Sequence, residues 1–274
     1  EGGLVEIWRR LAEILEDWYE AICLEARFSA VLHADETGWR VNGVTHWLWC
    51  FTSKNLTCYF INKNRGSPAL FEFMGETFAG TLITDFWPAY NRIACEGRQY
   101  CLAHLFRELD KVDATNTSEE WKAFRKKRMR LLNDALRLNQ ADGVGEDSWE
   151  SRYARLLDRL HALIRECGND PDVHRLCARL SKYENGIFTF LLDKNIDHTN
   201  NRAEREIRPA VIMRKVIQRN RSDKAAHTQE VLMSVYRTLK LRGCDPVKTV
   251  VSALSTYIET GKLPPLPAIK LSDG

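Results

Sequence analysis

Three acids frame the chemistry available to this 274-residue chain. Asp35 closes the apolar run "FSAVLHAD" and Asp85 closes "GTLITD", so each stands at the end of a segment that reads as a strand. Open α/β sheets gather their ligands at strand ends, because the backbone holds such a side chain rigidly while its head group leaves the core. Two carboxylates drawn together there repel and must each shed water, and a divalent cation that prefers hard oxygen offsets both costs. Spacing alone leaves open the alternative that both acids cap the turns that follow them. Glu204, in "HTNNRAEREIRP", offers a third carboxylate. It falls in the first turn of a helix opened by Asn200 or Asn201, where an acid also suits the helix dipole. An i,i+4 pair with Arg208 is an equally ordinary use for it, worth about 0.3 kcal/mol if exposed.

Elements must position these acids. Leu4, Ile7, Trp8, Leu11, Ile14, Leu15, Trp18 and Ile22 recur at helical spacing, which predicts one amphipathic helix within residues 1–27. "FSAVLHAD", "THWLWCFTS" and "LTCYFINK" read as three antiparallel strands, with Asn42-Gly43 as a hairpin turn between the first two. "SPALFEFMG" suits a helix, "GTLITD" a fourth strand, "FWPAYNRIACEG" a turn and short helix, "RQYCLAH" a fifth strand, and residues 102–112 a helix. That order is an α/β pattern with a mixed central sheet of about five strands. From 114 to 196 strands give way to about three helices, broken at "NQADGVGEDS" and "CGNDPD", which predicts an all-helical insertion between core segments 28–113 and 197–262. Two helices, over 226–242 and 246–260, and a proline-rich tail at 263–274 complete the chain.

Composition narrows the class. Apolar residues make up 44% and charged residues 28%, with no apolar run of eighteen or more, so the pattern is that of a soluble globular protein with no membrane partner. No secretory signal pattern is visible, and the eight cysteines are scattered without a C-x-x-C pair; reduced thiols in a cytoplasmic protein are expected. The net charge of +3 is small, but residues 202–224 hold eight Lys and Arg against three acids. Such a segment suits either phosphate contact or a solvated charged face.

The blocks "HADETGWRVNGVTHWLW", "LITDFWPAYN", "CLAHLFREL", "NNRAEREIRPAVIMRK" and "LMSVYRTLKLRG" resemble, in order and from about Ala30 to Gly243, the catalytic region of insertion sequence 66 family transposases. These are Asp-Asp-Glu transposases with a ribonuclease H-like fold. By that resemblance Asp35, Asp85 and Glu204 map onto the acidic triad, which would bind two Mg²⁺ ions, with Mn²⁺ as a substitute, for DNA cleavage and strand transfer. Asp35 would bridge both ions, and Asp85 and Glu204 would complete their shells. DNA, as transposon ends and target, and a homo-oligomer assembled on it in the nucleoid are the implied partners. Arg202, Arg205, Arg208, Arg214, Lys215, Arg219 and Arg221 become candidates for DNA phosphates. A nuclease that cuts without joining, and a non-catalytic DNA-binding fragment, are the competing readings.

Glu36 and Glu206 are expected to stand outside the site: Glu36 points to the other face of its strand, and Glu206 lies about 200° around the helix from Glu204. Cys101 and His104 have half the spacing of a zinc site, as do related Asp-Asp-Glu transposases, but no second pair completes it, so a structural or DNA-proximal role is favoured. His33 shares the strand face of Asp35 and could lie near the metals or be a satisfied, partly buried histidine. Trp87 and Tyr90 could stack on a base but are expected to pack a helix onto the sheet; Trp47 and Trp49 read as core. Two features depart from the family pattern. His198-Thr199 replaces a shorter approach to the Asn pair, and the upstream DNA-recognition and zinc-binding regions of the family have no counterpart, so recognition of DNA ends is expected to be missing.

Overall fold

The computed structural model describes residues 2–141, 143, 145–217 and 220–269. The expected N-terminal helix is two helices, α1 (Gly2–Ile14) and α2 (Glu16–Arg27). The chain turns at Leu15, whose side chain is buried and whose carbonyl accepts the N–H groups of Trp18 and Tyr19. Apolar periodicity runs unbroken through this turn, so spacing could not reveal it.

Strands β1 (Val31–Val41), β2 (Val44–Thr52) and β3 (Thr57–Asn62) form the expected antiparallel meander. Asn42 and Gly43 both take positive φ, 47° and 77°, as a tight two-residue hairpin of this hand requires. Helix α3 (Ser67–Met74) leads into β4 (Thr77–Thr84), a short 3₁₀ turn (Pro88–Arg92), β5 (Ala94–Tyr100) and α4 (Leu102–Asp113). The mixed sheet has the order β3-β2-β1-β4-β5. β5 starts earlier than "RQYCLAH" predicts and ends before Cys101, which precedes the first turn of α4. Its opening residues, "ACEG", are half-exposed on an edge strand and so lack the apolar alternation that marks a buried strand.

The three predicted helices of the insertion are α5 (Glu119–Gln140), α6 (Glu146–Arg165) and α7 (Pro171–Tyr183); α8 (Asn201–Ile217), α9 (Asp223–Leu241) and α10 (Pro246–Thr260) follow. Ser118, Asp170, Ser222 and Asp245 cap α5, α7, α9 and α10 through their side chains. The chain divides into two compact units, one of residues 1–82, 87–96 and 201–274, the other of 83–86 and 97–200. The second therefore takes in α4 as well as the three helices of the insertion.

In the first unit the two faces of the sheet bury different clusters. Leu32 and Ala34 of β1, Trp49 and Phe51 of β2 and Cys58 of β3 join one core with α2 and α3. Trp39 and Val41, Leu48 and Cys50, and Tyr59 join the other with Ile207 and Ala210 of α8 and Ala226 and Met233 of α9. The second unit is held by α5, α6 and α7 packed together and by a mutual cluster of Phe86, Tyr100 and Tyr183 rings. One expectation about the thiols is corrected. Cys23 of α2 and Cys58 of β3 are paired as a disulfide across the first core, with Cα atoms 5.7 Å apart, because the packing of α2 on β3 brings together two cysteines 35 residues apart. Among the described residues no helix is long and apolar enough to cross a membrane.

Candidate active site

Asp35 does not end its strand as expected: β1 runs on past it to Val41, because "ETGWRV" continues the pairing with β2, so Asp35 lies midway, opposite Cys50, and its Oδ1 accepts the N–H of Glu36 at 2.9 Å. Side chains alternate along a strand, so Asp35 shares a face with Thr37, Trp39 and Val41, the face on which α8 packs. Arg214 of α8 donates from Nη1 to Thr37 Oγ1 at 3.3 Å and to the carbonyl of Gly38. Beyond the helix, Asn220 bridges Val41: its N–H donates to the Arg40 carbonyl at 2.9 Å, its carbonyl accepts from Asn42, and its Oδ1 accepts the Trp39 indole N–H at 2.6 Å. These contacts hold the last turn of α8 and the residue Asn220 beyond it against the Thr37–Asn42 end of β1 and its turn.

The helix sorts its two acids by burial. Ala203, Ile207 and Ala210 recur at i, i+4 and i+7 and are buried, and Glu204 borders this stripe, half-buried, in the first turn. Glu206 is buried instead. Its Oε2 accepts from Arg237 Nε at 2.7 Å and from Thr57 Oγ1 at 3.5 Å, while Tyr59 O–H donates to its carbonyl at 2.5 Å. Glu206 is therefore the pairing acid that its angle on the helix suggests, and not a surface residue. Glu36 likewise serves the opposite face of β1. Its carboxylate, 3% exposed, accepts from Tyr90 O–H at 2.5 Å and pairs with Arg65 at 3.2 Å.

Burial pushes the Cys50 thiol well above its ordinary range, and the charges of Asp35 and then Glu206 push it further, with Arg237 opposing. His33, on the Asp35 face, is 2% exposed. Trp87 packs half-buried against the first core and donates its indole N–H to the Arg65 carbonyl at 3.3 Å. The Arg65 guanidinium is stacked between the Trp47 and Trp87 rings, 4.4 and 4.1 Å from their centres. Tyr90 is fully buried. Sequence reasoning missed Arg65, Arg237 and Asn220, because their partners lie 29, 31 and 181 residues away and no local spacing signals them.

In the second unit Asp85 follows the last residue of β4, and its carbonyl accepts the Thr84 hydroxyl at 2.8 Å. Cys101 is buried at the head of α4; its sulfur accepts the N–H of Asn200 at 3.1 Å, and its own N–H donates to the Thr84 carbonyl at 2.9 Å. Leu102 N–H donates to the His198 carbonyl at 2.9 Å. The approach to the Asn pair is thus pinned to the start of α4, which accommodates His198-Thr199. The His198 imidazole packs on Phe190, and burial lowers its pKa, with Asp197 opposing. His104 stands in the first turn of α4, its N–H donating to the Cys101 carbonyl at 3.1 Å.

Of the basic candidates on α8 and after it, Arg205, Arg208, Lys215 and Arg221 are exposed and Arg202 is half-buried. Arg214 is engaged with β1. Arg219 lies outside the described residues.

Among the described residues, a five-stranded mixed sheet flanked by ten helices defines an α/β protein of ribonuclease H-like architecture. The chain matches the Transposase IS66 family over residues 1–228 and belongs to that family. Its role is that of a transposase, an enzyme of nucleotidyl-transferase type, and the family implies DNA as partner and a divalent metal as cofactor. No curated protein matches the chain.

Proposed function

We propose that the chain catalyses metal-dependent DNA strand cleavage and strand transfer for an insertion sequence. The observation that carries this reading is the placement of α8. It lays the helix that carries Glu204 on the face of β1 that carries Asp35. Asp85 joins the set through its motif, "LITDFW", at the end of β4.

The donors fit the group. Three carboxylates are hard oxygen ligands suited to Mg²⁺ or Mn²⁺. Asp35, Asp85 and Glu204 would hold two ions, which when bound activate a water or 3′-hydroxyl and stabilise the leaving oxygen. The chain's own part is positional. The N–H of Glu36 orients the Asp35 carboxylate, and Arg214 and Asn220 hold α8 in register on β1. Arg202, Arg205, Arg208, Lys215 and Arg221 supply cationic contacts for phosphates, in which Arg219 would share, and Arg214 stays with β1. A homo-oligomer on DNA is the working assembly.

Asp85→Asn should lower cleavage of a pre-cut DNA end in Mg²⁺ or Mn²⁺ by at least about a hundredfold with duplex affinity retained. Unchanged cleavage would remove Asp85 from the site. Joined products from wild-type protein support strand transfer, whereas nicked products alone would make the chain a nuclease.

A further inference from the structure

The second unit carries a surface to which the triad gives no role. Arg152, Arg155 and Arg159 of α6 are spaced i, i+3 and i+7, and Arg130 and Arg137 of α5, with Asp134 between them, repeat the i, i+4, i+7 pattern. At 100° per residue each set falls within about 60° of its helix circumference. α5 and α6 pack side by side, and the two stripes converge on a cleft of about 280 Å³ lined by Asp134, Arg137, Arg152, Arg155 and Arg159 together with two leucines. The single carboxylate is shared: Arg159 reaches it at 2.9 Å, Arg137 at 3.3 Å and Arg130 at 3.9 Å. Five guanidiniums against one acid leave a formal surplus of four positive charges at one place.

An ordinary solvated helix face mixes its signs, and this cleft is lined by four arginines and one acid. Of the four acids of α6, Glu146 and Glu150 fall about 120° to 160° around the helix from Arg152, across from the stripe, while Asp147 and Asp158 flank its far edge, about 80° and 60° from Arg155. All the cations are arginine, whose planar fork matches phosphate geometry. Seven residues of helix rise about 10 Å. Along a duplex at 3.4 Å per step of one strand, that length covers about three phosphates. We infer that the cleft between α5 and α6 is a second contact for the backbone of duplex DNA, separate from the basic residues of α8. The inference rests on the reading of the chain as a DNA-acting enzyme and adds a binding surface to it.

The test is binding of the full chain to a labelled duplex of arbitrary sequence, followed by anisotropy between about 50 and 200 mM salt. Arg152 and Arg155 are exposed, so replacing them leaves the core intact. The double variant Arg152→Gln, Arg155→Gln should bind about tenfold more weakly at low salt and lower the slope of log K against log salt by about two, one for each phosphate no longer neutralised. The variant Arg152→Lys, Arg155→Lys, which keeps the charge, should recover most of the slope. An unchanged slope in the glutamine variant, with wild-type binding intact, would overturn the second contact and leave the proposed function standing. Absence of duplex binding by the wild type would overturn both. Loss of heparin binding with duplex binding preserved would also overturn it, by assigning the cleft to another polyanion.

Discussion

Each unit buries a charged side chain, and the two are treated differently. In the sheet-containing unit Glu206 is 3% exposed, yet its carboxylate accepts from Arg237 and Thr57. In the helical unit Arg128 of α5 is fully buried, and among the described residues its Nε, Nη1 and Nη2 have no hydrogen-bond partner. Glu108, whose charge acts on Arg128, is taken by Arg175 at 2.6 Å and Arg179 at 3.1 Å. Burial pulls the Arg128 guanidinium down to about 10, with Glu108 opposing that shift, so it stays charged at neutral pH. Glu206 meets a cation from α9 and one strand hydroxyl, because α8 and α9 pack side by side on the sheet face. A helix bundle spends its backbone groups internally and offers a buried cation only side chains.

The difference yields three stability tests. The largest effect should come from Arg237→Ala, which leaves Glu206 buried and unpaired and should cost about 3 to 5 kcal/mol in urea unfolding. Adding Glu206→Leu should restore most of that loss; no recovery would show that Arg237 acts through contacts other than the pair. Arg128→Met removes a charge with no hydrogen bond to lose, so stability should hold or rise by about 1 to 3 kcal/mol. A clear fall in its melting temperature would mean that ordered water satisfies the guanidinium.

The smallest effect concerns His227 of α9, half-exposed between Glu230 at 2.8 Å and Glu16 at 3.0 Å. Its hydrogen bond to Glu230, and then the bond and charge of Glu16, outweigh desolvation and raise its pKa from 6.5 to about 9. A raised pKa means the folded state holds the proton more tightly. The added stability is therefore complete below about pH 6.5 and fades as pH climbs through about 9. Discounted for its exposure, it should amount to about 1 kcal/mol, seen as a gap between wild type and His227→Gln at pH 6 that closes by pH 10. A gap that does not change with pH would assign the His227 contribution to packing.

Much of the fold is legible along the chain. The alternating aromatic and β-branched runs that became β1 to β4 and the Asn42-Gly43 turn follow from local preference and period. The breaks on either side of α6 are visible for the same reason. The turn at Leu15 and the early start of β5 were not legible, because a buried bend keeps helical periodicity and an edge strand does not need alternation. Cys23 and Cys58 carry no mutual signal, since their pairing depends on how α2 packs on β3.

The same division runs through the candidate site. Spacing alone left Asp35, Asp85 and Glu204 as possible turn caps and helix partners; the resemblance of their motifs to the family is what made them the acids to follow, and strand period already turned Glu36 away from Asp35. Tertiary structure decided the rest. Helical angle placed Glu206 off the Glu204 line, but only the packing of α8 and α9 on the sheet could bury it and supply Arg237. The basic run after Glu204 was equally mixed in meaning until Arg214 met Thr37 and Asn220 met Val41, leaving Arg205, Arg208, Lys215 and Arg221 facing solvent. Local spacing encodes which face a side chain takes. What waits on that face is set by segments hundreds of bonds away, and that only folding brings together.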